Sequence, residues 1–280
     1  MIDCLLDALL DTLKIIPYLF AAFFILEYIE HKIAAKSKKK LINNKKYGPI
    51  VGALLGALPQ CGFSALAANL FSSKVITTGT LIAVFLSTSD EMLPIMISEN
   101  ANIITVLKII GFKVVIGLAI GFIVDIIYRR KISNRETGEI DICKEEHCDC
   151  EHRGIIVSSL IHTAKISGFI LAINLVLNIL FFYIGEENLS NLLLQENLLA
   201  YFLASLIGLI PNCASSIVIT KLFLAGLIAP GVMIAGLLTG SGLGILLLFK
   251  TNKNLKENFG IISCIYLVGV ICGVLVDLII

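Results

Sequence analysis

The sequence Gly56-Ala57-Leu58-Pro59-Gln60-Cys61 lies in the middle of an apolar segment, and a related sequence, Gly208-Leu209-Ile210-Pro211-Asn212-Cys213, occurs 152 residues later. Further residues match at the same spacing: Ser64 and Ser216, Gly79 and Gly231, Gly121 and Gly273, and Asp125 and Asp277. Because the match extends well beyond the proline motif, the sequence predicts two related halves, residues 1–130 and 155–280. A polar linker over residues 131–154 joins them.

The composition is that of a membrane protein. The chain of 280 residues is 57% hydrophobic and 15% charged, whereas soluble domains carry about 25% charged residues. Each half has four apolar segments, which approach or exceed the roughly 20 residues that span a bilayer. They cover residues 5–29, 48–73, 75–98 and 103–128, then 155–183, 198–223, 225–249 and 258–280. An all-α polytopic membrane fold is predicted, and the lack of a Gly-x4-Gly-Lys-Ser/Thr loop argues against ATP hydrolysis.

The second segment of each half differs from the others because its Pro-x-Cys motif lies at the centre. About eleven residues remain on either side, or roughly 16 Å of helix, which is half the hydrocarbon thickness. This length predicts a re-entrant helical hairpin that enters the membrane and returns to the same face. The alternative is a single spanning helix with a proline kink.

Loop charge favours the hairpin, because basic residues in short loops stay in the cytoplasm. The break at residues 31–47 carries seven lysines, whereas its counterpart at 184–197 carries three glutamates and no basic residue. With two re-entrant hairpins, seventeen of the 22 basic residues lie inside and at most two in outside loops. Three crossings per half then invert the second half relative to the first. This predicts about ten helical elements, a bacterial-type plasma membrane location, a cytoplasmic linker and both termini outside.

Polar residues of the two halves are predicted to meet at mid-membrane, where interrupted helices form the substrate sites of secondary transporters. At the hairpin tips these are Gln60, Cys61, Ser64, Asn212, Cys213, Ser215 and Ser216. The third segments add Ser87, Thr88, Ser89, Thr239 and Ser241. Tip hydrogen bonding and close helix packing are the alternative roles for these side chains.

Asp90 and Glu91 follow the Ser-Thr-Ser sequence at the centre of the third segment. Two carboxylates at this depth cost at least about 2.5 kcal/mol each on insertion scales, so a functional role is the first hypothesis. They are predicted to bind a cation or to exchange it against protons. A buried salt bridge to Lys14, Lys113 or Lys165 is the alternative. Asp125 and Asp277 are interpreted as ordinary helix-end residues.

The linker is rich in thiols and imidazoles within ten residues: Cys143, His147, Cys148, Cys150 and His152. These ligands suit a soft or borderline metal ion, although the spacing is not that of a zinc finger. Metal capture, sensing or delivery is one interpretation. A solvated charged linker with incidental cysteines is the other.

The paired Gly-x-x-Pro-x-Cys motifs, the Ser87-Thr-Ser-Asp-Glu91 sequence, the Cys/His-rich linker and His162-Thr-x-Lys165 together resemble a family. It is the family of bacterial ten-helix heavy-metal exporters, also described as arsenic-efflux-like or manganese transporters. The resemblance implies ten helical elements, with each hairpin counted as two, and export of a metal or metalloid ion. Cys61 and Cys213 favour a thiophilic species such as arsenite, whereas Asp90 and Glu91 suit a hard cation such as Mn(II).

The leading hypothesis is therefore a secondary-active exporter of a heavy-metal or divalent cation, or of arsenite. The metal is its substrate, and no separate cofactor, enzymatic activity or nucleic-acid partner is expected. Both a monomer and a homo-oligomer are compatible with the sequence. The alternative is a membrane-anchored metal sensor or transporter-accessory subunit that works through the Cys/His linker. An intramembrane enzyme is disfavoured because no nucleophile and base are recognisable.

Overall fold

A computed structural model describes residues 47–58, 61–89, 92–132, 198–211 and 213–279, together with single positions between 13 and 24 and between 156 and 176. Side chains are not described at the helix positions 61, 62, 128–132, 213 and 214. Every regular element in this part of the chain is an α-helix. The all-helical prediction is confirmed.

Ten helices are described, which we number in chain order. In the first half they are α1 (Gly48–Gly56), α2 (Cys61–Ser72), α3 (Thr78–Ser87), α4 (Met92–Ser98) and α5 (Ile103–Ile132). In the second half they are α6 (Leu198–Gly208), α7 (Cys213–Leu224), α8 (Pro230–Thr239), α9 (Gly244–Thr251) and α10 (Leu255–Ile279).

The spacing of 152 residues reappears in the helix boundaries. Helix α2 and helix α7 begin at Cys61 and Cys213, and α3 and α8 end at Ser87 and Thr239. We call two residues counterparts when they are related by this spacing. Four stretches are long and apolar enough to cross a membrane, and they too form two counterpart pairs: Thr78–Ser98 with Pro230–Thr251, and Ile103–Ile127 with Leu255–Ile279.

The third segment of each half is interrupted, which the sequence did not lead us to expect. Helix α3 ends at Ser87 and α4 begins at Met92, and α8 ends at Thr239 and α9 begins at Gly244. Thr88 leaves the helix with an extended ψ of 125°, and its hydroxyl donates to Val84 O at 2.7 Å. Such side-chain bonds compete with the helical ladder. In the second half Gly242 takes a φ of 52°, a left-handed conformation that glycine adopts without steric cost.

Two counterpart turns reverse the chain after α2 and α7. Lys74 and Gly226 have φ values of 58° and 71°. In the first turn Val75 N donates to Leu70 O, and in the second Leu227 N donates to Leu222 O, both at 2.9 Å. This is the Schellman arrangement that ends many helices, in which glycine is the usual left-handed residue. Lys74 adopts it without being glycine.

Asp125 and Asp277 correct the expectation that they merely end helices. Asp125 on α5 accepts from the Gly79 backbone N at 2.8 Å and from Thr77 Oγ1 at 2.7 Å. Asp277 on α10 accepts from the Gly231 backbone N at 2.7 Å. Each carboxylate therefore caps the N-terminus of a neighbouring helix, where backbone amides lack partners and the helix dipole favours negative charge.

Helix α1 runs alongside α3 in the same direction. Gly48 lies against Thr80 near the start of α3, and Gly56 lies against Ser87 at its end. In the second half Gly208, at the end of α6, lies against Thr239 at the end of α8. Small residues allow these close crossings, as is usual in membrane helix pairs.

The two halves pack against each other through helices at the centre of the molecule. Helix α2 packs along α9, with Ser64 beside Gly244 and Ser72 Oγ 2.6 Å from Thr251 Oγ1. Helix α7 packs on α4 in the corresponding way. The interrupted stretches are 75% and 78% buried, against 22% and 33% for α5 and α10. The interrupted helices thus form the core, and α5 and α10 present apolar faces to lipid.

Candidate transport site

A small cavity lies where the break between α6 and α7 meets the interruptions of both halves. Eleven residues line it: Thr88, Ser89, Met92, Lys113, Gly208, Ile210, Ser215, Ser216, Leu237, Gly240 and Gly242. They come from the end of α3, the start of α4, the middle of α5, the end of α6 and the start of α7, and the end of α8 with the interruption after it. The cavity is therefore built jointly by the two halves.

Hydroxyl groups and helix ends give the cavity its polar character. Thr88, Ser89 and Ser215 are nearly or fully buried, with 2%, 1% and 2% of their surface exposed. Ser89 Oγ donates to Ser87 O at 3.2 Å, and Ser215 Oγ donates to Ile210 O at 3.4 Å. Irregular backbone inside a membrane protein is tolerated where protein or a water-filled cavity satisfies its polar groups. The cavity thus offers hydroxyl and carbonyl oxygens to a ligand.

Lys113 brings a positive charge to the wall of this cavity. It lies on α5 and only 1% of its surface is exposed. Its Nζ donates to Leu237 O at 2.8 Å and also to Thr88 O. Both carbonyls lie at the C-terminal ends of helices, where the helix dipole favours a cation. Lys113 therefore connects the first interruption to the second half, at the level of the cavity.

The structure brings together only part of the predicted site. Thr88, Ser89, Ser215 and Ser216 line the cavity as a group. The hydroxyls of Ser87 and Thr239 are buried and donate to backbone carbonyls one turn earlier in their own helices. These hydroxyls therefore bond to the last turns of their own helices, and neither residue lines the cavity. Ser64 is fully buried at the contact between α2 and α9.

Ser241 is a predicted site residue whose buried hydroxyl makes no hydrogen bond within the described part of the chain. Its side chain has 0% exposure, and within the described part of the chain its Oγ meets no hydrogen-bond partner. It lies between Gly240 and Gly242, which both line the cavity. A buried hydroxyl without a hydrogen-bond partner costs about 1–3 kcal/mol. The hydroxyl of Ser241 is therefore a candidate ligand-binding group in the second interruption.

The remaining predicted residues lie outside what can be described. Gln60, Asp90, Glu91 and Asn212 are outside the described residues, as are the linker ligands Cys143, His147, Cys148, Cys150 and His152. Cys61 and Cys213 begin α2 and α7, but their side chains are not described. Within the described ranges no three His, Cys, Asp or Glu side chains form a metal-binding group. Cys264 and Cys272 on α10 do not belong to the cavity lining.

Seven residues that line the cavity were not predicted as site residues: Met92, Lys113, Gly208, Ile210, Leu237, Gly240 and Gly242. Lys113 was considered only as a partner of the acidic pair, although a lysine in the centre of an apolar segment is itself a signal. Met92 and Leu237 gave no signal, because apolar residues in a membrane helix are expected everywhere. Their role depends on the interruptions, which bring the ends of α4 and α8 to the cavity.

The helical core, the apolar outer helices and the buried polar cavity define a polytopic, all-helical membrane protein. The model of the family described as "Putative, 10TM heavy-metal exporter" matches residues 1–184. Because this match covers more than half of the chain, the protein belongs to that family, and the resemblance inferred from the sequence motifs is confirmed. No curated protein and no solved structure matches the chain.

Proposed function

We propose that this protein is a secondary-active transporter that exports a heavy-metal ion or metalloid by alternating access around the mid-membrane cavity. The observation that carries the proposal is the composition of the cavity wall. Thr88 and Ser89 come from one half and Ser215, Ser216 and Gly240 from the other. A ligand held between two halves of a membrane protein can be exposed to either face when the halves rock against each other.

The course of α1 and α2 supports a re-entrant hairpin. Helix α1 begins at Gly48 beside Thr80, near the start of α3. Helix α2 ends at Ser72, only six residues before α3 begins at Thr78. Both ends of the hairpin therefore lie at the level where α3 starts. A single kinked helix that crossed the membrane would carry Ser72 to the opposite level.

The contact between α2 and α9 supports an inverted arrangement of the halves. Ser72, at the end of α2, meets Thr251, at the end of α9. The stretch Pro230–Thr251 thus finishes at the level where its counterpart Thr78–Ser98 begins. Two counterpart stretches that run in opposite directions are what the loop charges predict. In this arrangement the lysine-rich loop at 31–47 and the basic loop at 250–257 share a face.

The donor set supports an ion or small oxo species as the substrate class. Hydroxyl and carbonyl oxygens suit a hard divalent cation such as Mn(II), as would Asp90 and Glu91. The thioether of Met92 suits a soft cation or arsenite, as would the thiols of Cys61 and Cys213. Family membership favours a heavy metal, and we propose a divalent or heavy-metal cation first, with arsenite second.

Cellular metal content tests the proposal. We expect cells that express the protein to hold less of one of Mn, Zn, Cd or As than cells without it. Thr88→Val and Ser216→Ala should remove this difference, because each takes a hydroxyl from the cavity wall. Ser205→Ala is the matched control, since Ser205 is a fully buried serine that donates to Ala235 O and is not among the cavity-lining residues. Unchanged content of all four elements would contradict export.

The same assay separates transport from the sensor hypothesis. If the linker is the working part, Cys148→Ser combined with Cys150→Ser should abolish the effect, while the cavity variants should leave it intact. If transport through the cavity is correct, the cavity variants should abolish it whatever the linker contributes. The two hypotheses therefore predict opposite results for Thr88→Val.

A further inference from the structure

We infer that Phe85 is the residue that closes the transport path on the side opposite the cavity, through its contact with Gly244 and Ser64. This inference rests on the proposed alternating-access function and identifies the contact that must open. The inference is based on the internal repeat, because residues of the cavity wall have counterparts 152 positions away.

The cavity wall contains Met92, Leu237 and Ser216. Their counterparts are Gly244, Phe85 and Ser64. The geometry of these six positions is comparable because α4 and α9, α3 and α8, and α2 and α7 have counterpart boundaries. If the halves are related by a pseudo-twofold axis, the three counterparts mark where a second, oppositely oriented opening would lie.

That second position is filled. Phe85 and Ser64 have 0% exposure, and Gly244 is buried. A Cβ built on Gly244 would lie 2.6 Å from Phe85 Cε1 and 2.9 Å from Ser64 Cβ, distances that real Cβ atoms essentially never show. The ring therefore lies directly on the backbone of α9, with α2 on its flank. On the cavity side the counterpart Ser216 is half-buried.

The residue sizes explain how this contact can both seal and open. The counterpart of Phe85 on the cavity side is Leu237, and the counterpart of Gly244 is Met92. A flat ring against a glycine backbone excludes water without interlocking side chains, so α9 can move away from α3 with few rotamer changes. The contact joins the first half to the second, because α3 and α2 belong to one and α9 to the other. Rocking of the halves would separate Phe85 from Gly244 and bring Leu237 closer to Met92.

Side-specific thiol labelling of the full-length protein in membrane vesicles tests this inference. Ser64→Cys and Ser216→Cys report the closed and the open position, and mass spectrometry of the labelled peptides distinguishes them from the native cysteines. Each is combined with Gly244→Ala, whose methyl group overlaps the Phe85 ring. Gly111→Ala is the matched control, since a Cβ there meets no atom within 4 Å. A membrane-impermeant maleimide is applied from each face separately.

We expect Gly244→Ala to raise the labelling rate of the thiol introduced at position 64 at least about tenfold while it lowers that of the thiol at position 216. Gly111→Ala should change neither rate. Phe85→Leu, which removes the ring without a wedge, should also expose the thiol at position 64 and guards against misfolding caused by the added methyl group. If both thiols gain reactivity together, or if neither responds in either variant, Phe85 does not close the path. Metal flux of the wild type, measured on the same vesicles, tests the transport function independently of the labelling result.

Discussion

Among single residues, Lys113 joins the two halves of the chain at the cavity. A lysine at the centre of a membrane helix is costly unless its charge is compensated. Here two carbonyls, Thr88 O and Leu237 O, accept from its ammonium group, and they belong to different halves of the chain. Lys113 has no counterpart in charge, because the equivalent residue is Ile265. The cavity is consequently asymmetric in spite of the repeat.

Replacing Lys113 with methionine should destabilise the protein. Methionine keeps much of the length of the side chain but leaves both carbonyls without this donor, and we expect a loss on the order of 2 kcal/mol. The fall in thermal midpoint in detergent, followed by size-exclusion chromatography after heating, measures it. Lys108→Met, at an exposed position of the same helix, serves as the control. Equal stability of the two variants would show that Lys113 does not hold the halves together.

Met92 should tune which ion the cavity prefers. Its thioether is the one soft ligand among the described cavity-lining side chains, and soft donors favour Cd(II) over Mn(II). We expect Met92→Leu to lower the Cd:Mn transport ratio by roughly tenfold, which corresponds to about 1.4 kcal/mol. Competition between the two ions in vesicle uptake measures the ratio.

Met96→Leu provides the comparison for Met92→Leu, since Met96 is fully buried on the same helix outside the cavity lining. A merely structural role of Met92 would reduce uptake of both ions equally. An unchanged ratio would remove Met92 from the binding site.

At the scale of elements, the carboxylate caps tie the outer helices to the core. Asp277 accepts from the Gly231 backbone N and from Tyr201 OH, at 2.7 and 2.8 Å. It thus fixes α8 and α6 to α10 at once. Asp125 does the same for α3 on α5. These bonds set the position of the two helices whose ends form the interruptions.

Removing the cap should cost more than removing one of its bonds. We expect Asp277→Ala to lower the free energy of unfolding by about 2 kcal/mol and Tyr201→Phe by about 1 kcal/mol. Thermal unfolding of the purified variants and of the double variant gives the comparison. If Tyr201→Phe proves as damaging as Asp277→Ala, the bond to Gly231 contributes little and the cap has been misassigned.

Some breaks between helices could be predicted from the sequence and others could not. The breaks between α1 and α2 and between α6 and α7 were predictable, because each contains a proline at the centre of an apolar segment. The interruption after α3 was not, because residues 87–91 contain no proline or glycine, and serine and threonine hydroxyls bond to the preceding turn inside continuous helices as well, as Thr220 does. Asp125 and Asp277 were undervalued for a related reason. Their partners are 46 residues away, and a tertiary cap has no local pattern.

At the scale of the whole molecule, the proposed inverted arrangement predicts the sides of two counterpart loops. Because basic residues remain in the cytoplasm, the loop at 31–47 should be cytoplasmic and the loop at 184–197 external. Single cysteines introduced at Ser37 and Ser190, labelled in intact cells with an impermeant reagent, report the two sides. Reactivity at 190 but not at 37 is expected. Labelling of both from outside would mean that the halves have the same orientation.

Vectorial transport of a metal or metalloid through the cavity can be measured as flux into proteoliposomes. The purified protein would be reconstituted and offered Mn, Zn, Cd and arsenite in turn, with and without a pH gradient. We predict protein-dependent flux of at least one substrate, accelerated by the pH gradient and lost in Thr88→Val but retained in Ser205→Ala. No flux of any substrate above protein-free vesicles, or equal flux in Thr88→Val and the wild type, would contradict the proposed transport path.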